Sequence, residues 1–137
     1  MGLTHVDAGV IIAFLDSDDA HHDSARSALA SALDNSDRLS IAASALAECL
    51  VGPARRGTKA VALVRTVIDR FPVSVVHLDE EIATQAAMLR ARHRSLKLPD
   101  ALVIATAEHS SADRLITTDL NWPTAKAMKL TVSIVQI

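Results

Sequence analysis

Apolar positions along this chain fall into two alternating rhythms. Short aliphatic or β-branched runs at Leu3–Val6, Arg38–Ala42, Val73–Leu78, Arg114–Thr117 and Thr131–Val135 are each brief enough to be a strand. Between them, apolar residues return at three- and four-residue spacing, as on one side of a helix. Ala8–Leu15 is the first such stretch, and His21–Leu33 carries Ala25, Ala28, Leu29 and Ala32 on one face. Ala43–Val51 follows, ending at Gly52-Pro53, and Lys59–Asp69 lines up Ala60, Leu63, Val64, Val67 and Ile68. Asp79–His93 repeats the pattern with Ile82, Ala86 and Leu89, and Pro99–His109 contains Leu102, Ile104 and Ala105.

Local chemistry agrees with these boundaries. Pro99 suits a first helical turn, where its missing N–H costs nothing. Asp79 precedes Ile82 as an N-cap, with Glu81 in the first turn, where a negative charge meets the helix dipole. Strands alternating with helices imply a parallel sheet covered on both faces. The expected fold is therefore α/β, a three-layer α/β/α domain over residues 1–137 with about five short strands in its central sheet. No internal repeat or linker divides the chain.

Composition narrows the functional classes. Half of the residues are hydrophobic and 22% are charged, which excludes a disordered chain. Aromatics are 2% with no tyrosine and two phenylalanines, so nucleic-acid binding by base stacking on a tyrosine or phenylalanine platform is nearly excluded. The single cysteine, Cys49, forms no internal disulfide or Cys-rich zinc site and reads as a small core residue. The six histidines are scattered and form no ligand motif. The first residues meet Asp7 and Asp16 too early for a signal peptide, and the apolar run Ala8–Leu15 is far short of a membrane span. A cytoplasmic location away from the membrane is expected.

The net charge of −2 hides an uneven distribution. Residues 1–50 hold eight acids against Arg26 and Arg38. Residues 51–97 hold nine Lys and Arg against four acids. An acidic segment beside a basic one suits a cation site next to a polyanion track.

Four acids stand where their neighbours are aliphatic or small and burial is expected: Asp7 in HVDAGV, Glu48 in ALAECL, Asp100 in LPDALV and Asp119 in TTDLNW. Singly, each has a plain structural explanation as a cap, strand end, helix edge or turn. Together they differ. Asp7 and Asp119 follow strands, Asp100 opens a helix and Glu48 lies on the helix after the second strand, so a parallel sheet draws all four to its carboxyl edge. Four carboxylates with no adjacent Lys or Arg repel one another, and a divalent cation resolves the repulsion. An all-oxygen donor set favours Mg²⁺ or Mn²⁺.

These segments resemble the PIN-domain ribonucleases, and among them the VapC toxins of bacterial type II toxin–antitoxin pairs. The matching pieces are VDAGVIIAFLD at Val6–Asp16, SALAE at Ser44–Glu48, LPDALVIATA at Leu98–Ala107 and TTDLNW at Thr117–Trp122. They span almost the whole chain. The resemblance implies a Mg²⁺- or Mn²⁺-dependent endoribonuclease that leaves 5′-phosphate and 3′-hydroxyl ends, inhibits translation and growth, forms a homodimer and is held in check by a cognate antitoxin. It implies that Asp7, Glu48, Asp100 and Asp119 are the catalytic and metal-binding acids, with Thr117 supporting the pocket. Asn121 stands where some members carry a further acid, so one well-ordered ion is expected.

Arg90, Arg92, Arg94 and Lys97 lead directly into Asp100 and are candidates for RNA phosphate contact; Arg55, Arg56 and Lys59 are a second set. The Ala-rich face within Ala20–Leu33 is a candidate surface for the antitoxin. Trp122 reads as packing for the last loop, with base stacking as the other role open to it. A non-toxin PIN nuclease of RNA processing shares the same site and is the alternative. A receiver-type signalling module expects paired acids after its first strand, whereas Ala8 follows Asp7; a haloacid-type phosphatase expects D-x-D, whereas this chain has D-A-G.

Overall fold

The computed structural model describes residues 1–137. Strand β1 (Leu3–Val6) lies at the centre of a five-stranded, wholly parallel sheet, flanked by β2 (Arg38–Ala42) and β4 (Arg114–Thr117), with β3 (Val73–Val76) and β5 (Ser133–Gln136) at the edges. The order is β3-β2-β1-β4-β5. Thr4, His5 and Val6 are all buried, as a central strand covered on both faces requires.

Six helices connect the strands: α1 (Ala8–Leu15), α2 (His22–Asp34), α3 (Ala43–Arg56), α4 (Thr58–Arg70), α5 (Glu80–Arg92) and α6 (Leu98–His109). Right-handed crossovers place α1–α4 on one face and α5–α6 on the other, which is the expected α/β/α sandwich. Helix α6 is apolar almost all round, and Ala101 and the run from Val103 to Ala107 are buried. Asp79 caps α5 as expected, accepting from the Ile82 N–H at 2.9 Å. The imidazole of His109 lies 3.7 Å from Asp79 and 3.5 Å from Glu81, so α5 and α6 run antiparallel. No helix is long and apolar enough to cross a membrane.

Several expectations are corrected. Helix α3 does not stop at Val51 but continues through Gly52 and Pro53 to Arg56. Pro53 forgoes a single hydrogen bond, which an exposed helix end tolerates. Gly57 alone then joins α3 to α4, with φ +118° and ψ 176°. Strand β3 ends at Val76, two residues early. Strand β5 starts two residues late, because the Glu108 carboxylate takes the N–H groups of Thr131 and Val132 at 2.9 and 3.1 Å and holds them off the sheet. The Ala-rich face of α2 is no open surface, since Ala25, Leu29 and Ala32 are buried in the domain's own core.

Below β1 and β4, at the amino edge of the sheet, Asp37 gathers three donors. It accepts from the Gly2 N–H at 3.0 Å and the Thr4 hydroxyl at 2.9 Å, and it pairs with the Arg114 guanidinium. The Thr4 hydroxyl, then the Gly2 N–H and Arg114, hold its carboxyl below the usual range. Beside it, Asp113 accepts the Leu3 N–H at 2.8 Å. On β1, the fully buried His5 bonds the Ser40 hydroxyl of β2 at 2.8 Å, and burial pushes its pKa down to about 4.

Candidate active site

Asp7 is the single residue between β1 and α1 and is the N-cap of the helix. One carboxylate oxygen of Asp7 accepts the Ala8 N–H at 2.8 Å and the other accepts the Thr117 hydroxyl at 2.9 Å. Thr117 closes β4, and its oxygen in turn accepts the Asp119 N–H at 3.0 Å. A single buried hydroxyl thus ties the acid after β1 to the acid after β4. Asp119 is turned by its own loop, accepting the Asn121 N–H at 2.7 Å, so Asn121 contributes through its backbone. The loop lies close on α1: a Cβ added at Gly9 would run into the Thr118 hydroxyl.

Helix α6 runs back toward the start of β4, so its first turn carries Asp100 to the same edge. Asp100 is half-buried and makes no hydrogen bond to a protein donor, and neither does Glu48 on α3. Glu48 is exposed, contrary to the burial expected of it, because the core-facing positions of its turn are Ala45, Leu46 and Cys49. Cys49 is the core residue expected, its thiol pushed up to about 12 by burial.

The acids lie near enough to act on one another's charge. Burial raises the Asp7 carboxyl above its ordinary range against the pull of Thr117 and Ala8, and Glu48 and Asp119 raise it further. Partial desolvation and then Asp100 raise Glu48. Asp100 is raised by burial, then by Asp7 and Asp119, with Trp122 and Lys97 pulling the other way. None of the four is in a salt bridge. As they stand, no three carboxylate, thiol or imidazole groups are gathered tightly enough to hold one metal ion. The donor chemistry nonetheless fits a hard cation: oxygen ligands, mutual repulsion and no fixed counter-charge.

The match to known proteins is decisive at the level of family. The model of the PIN domain matches residues 5–127. The chain belongs to the PIN domain family. Among solved structures, this PIN domain is similar to Mycobacterium tuberculosis VapC20, a sarcin-ricin loop cleaving toxin. The two share 22% identity over 86% of this chain and 91% of that one, with a TM-score of 0.68. It is also similar to VapBC2 from Rickettsia felis bound to a DNA fragment from the pair's promoter, at 16% identity, 98% coverage of both chains and a TM-score of 0.71. A toxin–antitoxin complex from Klebsiella pneumoniae matches at 23% identity over 86% of this chain and 88% of that one, with a TM-score of 0.69. At these identities the likeness is one of fold. No curated protein sequence matches.

Two cationic groups flank the acids of this PIN domain. Arg90 and Arg92 lie in the last turn of α5, and Arg94 and Lys97 in the connection to α6; all four are exposed. Arg55 and Arg56 end α3 across the site. Only Arg114 among the Lys and Arg residues is in an ion pair, so both groups are free to meet an anion. From Glu48 a groove of about 500 Å³ runs between α1, α3 and α4, walled by Ile12, Leu15, Cys49, Pro53 and Val64 with Asp16 and Arg56 at its rim. Sequence reasoning passed over this groove, whose walls come from segments far apart in the chain. Trp122 is 8% exposed, which removes it as a stacking platform.

Proposed function

We propose that this PIN domain is a divalent-metal-dependent endoribonuclease, the toxin of a toxin–antitoxin pair, whose cleavage of RNA inhibits translation and growth. The observation that carries the reading is a cluster of four carboxylates without a cationic partner, three of them (Asp7, Glu48 and Asp100) raised by burial and by the charge of their neighbours, between two unpaired basic groups. The fold neighbours, a VapC toxin and complexes of toxin–antitoxin pairs, support the same reading.

Asp7, Asp100, Asp119 and Glu48 would be the residues that hold Mg²⁺ or Mn²⁺. The ion supplies Lewis-acid polarisation of the phosphodiester and lowers the pKa of a nearby water. Thr117 fixes the lone pairs of Asp7 and the backbone of Asp119, so the two acids from adjacent strands move as one unit. Glu48, exposed and with a raised pKa, orients the attacking water and accepts its proton. The water oxygen bonds to phosphorus, the bond to the 3′ oxygen breaks, and that oxygen takes a proton from solvent, leaving a 5′-phosphate and a 3′-hydroxyl. Arg90, Arg92, Arg94 and Lys97 bind flanking phosphates and place the scissile one at the acids.

The groove beside Glu48 suits an amphipathic antitoxin segment: apolar side chains on its aliphatic wall and a basic group turned into the acids. A homodimer and a cytoplasmic location complete the proposal. The test is incubation of purified protein with total RNA in Mg²⁺ or Mn²⁺. Discrete fragments that disappear with EDTA and with Asp100→Asn support the nuclease. Unchanged fragments from Asp100→Asn overturn the assignment. Protection by the product of a small gene next to this one tests the pairing.

A further inference from the structure

Three of the four acids differ in how they are held. Asp7 is fixed by Thr117 and Ala8, and Asp119 by the Asn121 N–H. Asp100, from the other face of the sheet, has no bonded donor. Facing it from the loop after β4 is Trp122, buried to 8% exposure, whose indole N–H has no hydrogen-bond partner. Only one other buried side-chain nitrogen in the protein, Nε2 of His5, shares that condition. An unused donor therefore lies beside an unused acceptor, near enough that the indole favours the carboxylate form of Asp100.

We propose that Trp122 is a positioning residue for Asp100, its indole N–H bonding one carboxylate oxygen when Asp100 turns inward and leaving the other oxygen to face a cation. The inference rests on the reading of the acid cluster as a cation site. Indole suits the task because it donates without carrying charge. A lysine in its place would neutralise the carboxylate and repel the ion. The arrangement matches the Thr117 bond to Asp7, so each face of the sheet has one acid oriented by a neutral donor. An unpaired buried N–H is costly, and a bond to Asp100 would remove that cost.

Trp122 is the only tryptophan and the chain has no tyrosine, so the single indole NMR resonance and the intrinsic fluorescence report on this ring alone. The experiment is a Mg²⁺ titration of the whole protein, followed in parallel by calorimetry and by the indole ¹H–¹⁵N resonance. The expected result is a downfield shift of the indole proton that tracks saturation and is lost in Asp100→Ala. Trp122→Phe, which keeps an aromatic ring and removes the donor, should weaken Mg²⁺ binding by roughly fivefold, the worth of one hydrogen bond. Mg²⁺ uptake with a stationary indole resonance overturns the positioning role and leaves the cation site standing. No Mg²⁺ uptake by the wild type overturns the cation-site reading and this inference with it. The wild-type titration needs no variant, so a poorly folded Trp122→Phe does not blunt the test.

Discussion

The two ends of the sheet treat carboxylates in opposite ways. At the amino edge, Asp37 is surrounded by the Gly2 N–H, the Thr4 hydroxyl and Arg114, and its carboxyl is held below the ordinary range. At the carboxyl edge, Asp7, Glu48 and Asp100 face each other without a cationic partner and are all raised. The same residue type thus acts as a clasp below and as stored repulsion above. A strand end with its acceptors satisfied holds the fold together. An edge where carboxylates are crowded and partly buried without counter-charge is destabilised until something positive arrives, as expected of a site rather than a scaffold.

The comparison breaks most sharply at Asp100. Asp100→Asn should lower RNA cleavage by more than about 100-fold, beyond the loss that outer-shell partners of metal ligands cause. The same variant should melt at or above the wild-type temperature, because a like charge has gone. Cleavage assays and a thermal melt on one preparation read both. A destabilised Asp100→Asn would mean that the upper edge is a clasp after all.

Thr117→Val comes next. It removes the hydroxyl between Asp7 and Asp119 at nearly constant volume, and cleavage should fall roughly 10- to 100-fold. Stability should fall as well, since the buried Asp7 carboxylate loses a donor. At the lower edge the outcome should be purely structural: Asp37→Ala strips three donors of their acceptor and lowers the melting temperature by several degrees, while the cleavage rate per folded molecule is kept.

Gly9→Ala probes the packing between the two upper acids. The new methyl would collide with the Thr118 hydroxyl, so that side chain must rotate or the loop bearing Asp119 must shift. A stability loss of about 1–2 kcal/mol is expected from overpacking, with a modest fall in cleavage. Urea titration and an activity assay measure the two separately.

The smallest effect is a difference in sign with pH. Asp37 titrates below its unfolded value, so its contribution is present above the ordinary carboxylate range and is lost as pH falls through the lower folded value. Asp7, Glu48 and Asp100 titrate above theirs, so the metal-free protein sheds repulsion as pH falls through those raised values, and the relief is complete below the unfolded ones. The stabilisation given by Asp7→Asn should therefore shrink on acidification from about pH 7 to about pH 4, while the deficit of Asp37→Ala persists until lower pH. His5 adds a common background: its folded pKa of about 4 lies below the unfolded value of 6.5, so neutral His5 favours folding above 6.5 and that contribution is lost as pH falls through 4. Denaturant melts of the three proteins across this range resolve the signs.

Much of the upper edge was legible in the chain because each acid sits inside a local pattern. Asp7 ends a strand run, Asp100 follows Pro99 into an apolar helix, and Asp119 follows Thr117-Thr118, so topology alone brings them together. The lower edge was not legible. Asp37 looks like one of eight acids in the first fifty residues, and its partners lie 33 to 77 positions away. The same limit hid the late start of β5, which is set by Glu108 from a different helix. The exposure of Glu48 and the length of α3 escaped for a local reason: small residues leave a weak hydrophobic rhythm, and Gly52-Pro53 reads as an end when the helix runs through it. The groove beside Glu48 needs α1, α3 and α4 in place before it exists.

The joint at Gly57 has a consequence for genetics. Ser36, Ser111 and Lys129 show that this chain accepts ordinary residues at positive φ between 54° and 59°. Gly57, with φ +118° and ψ 176°, lies in a region of backbone space that is essentially closed to any side chain. A survey that scores every substitution by whether the chain still arrests growth of the host would therefore return Gly57 beside Asp7 and Asp100 as positions where any change abolishes the effect. The three would look alike in such a map. Only the first would owe its standing to the path of the chain and nothing to the reaction.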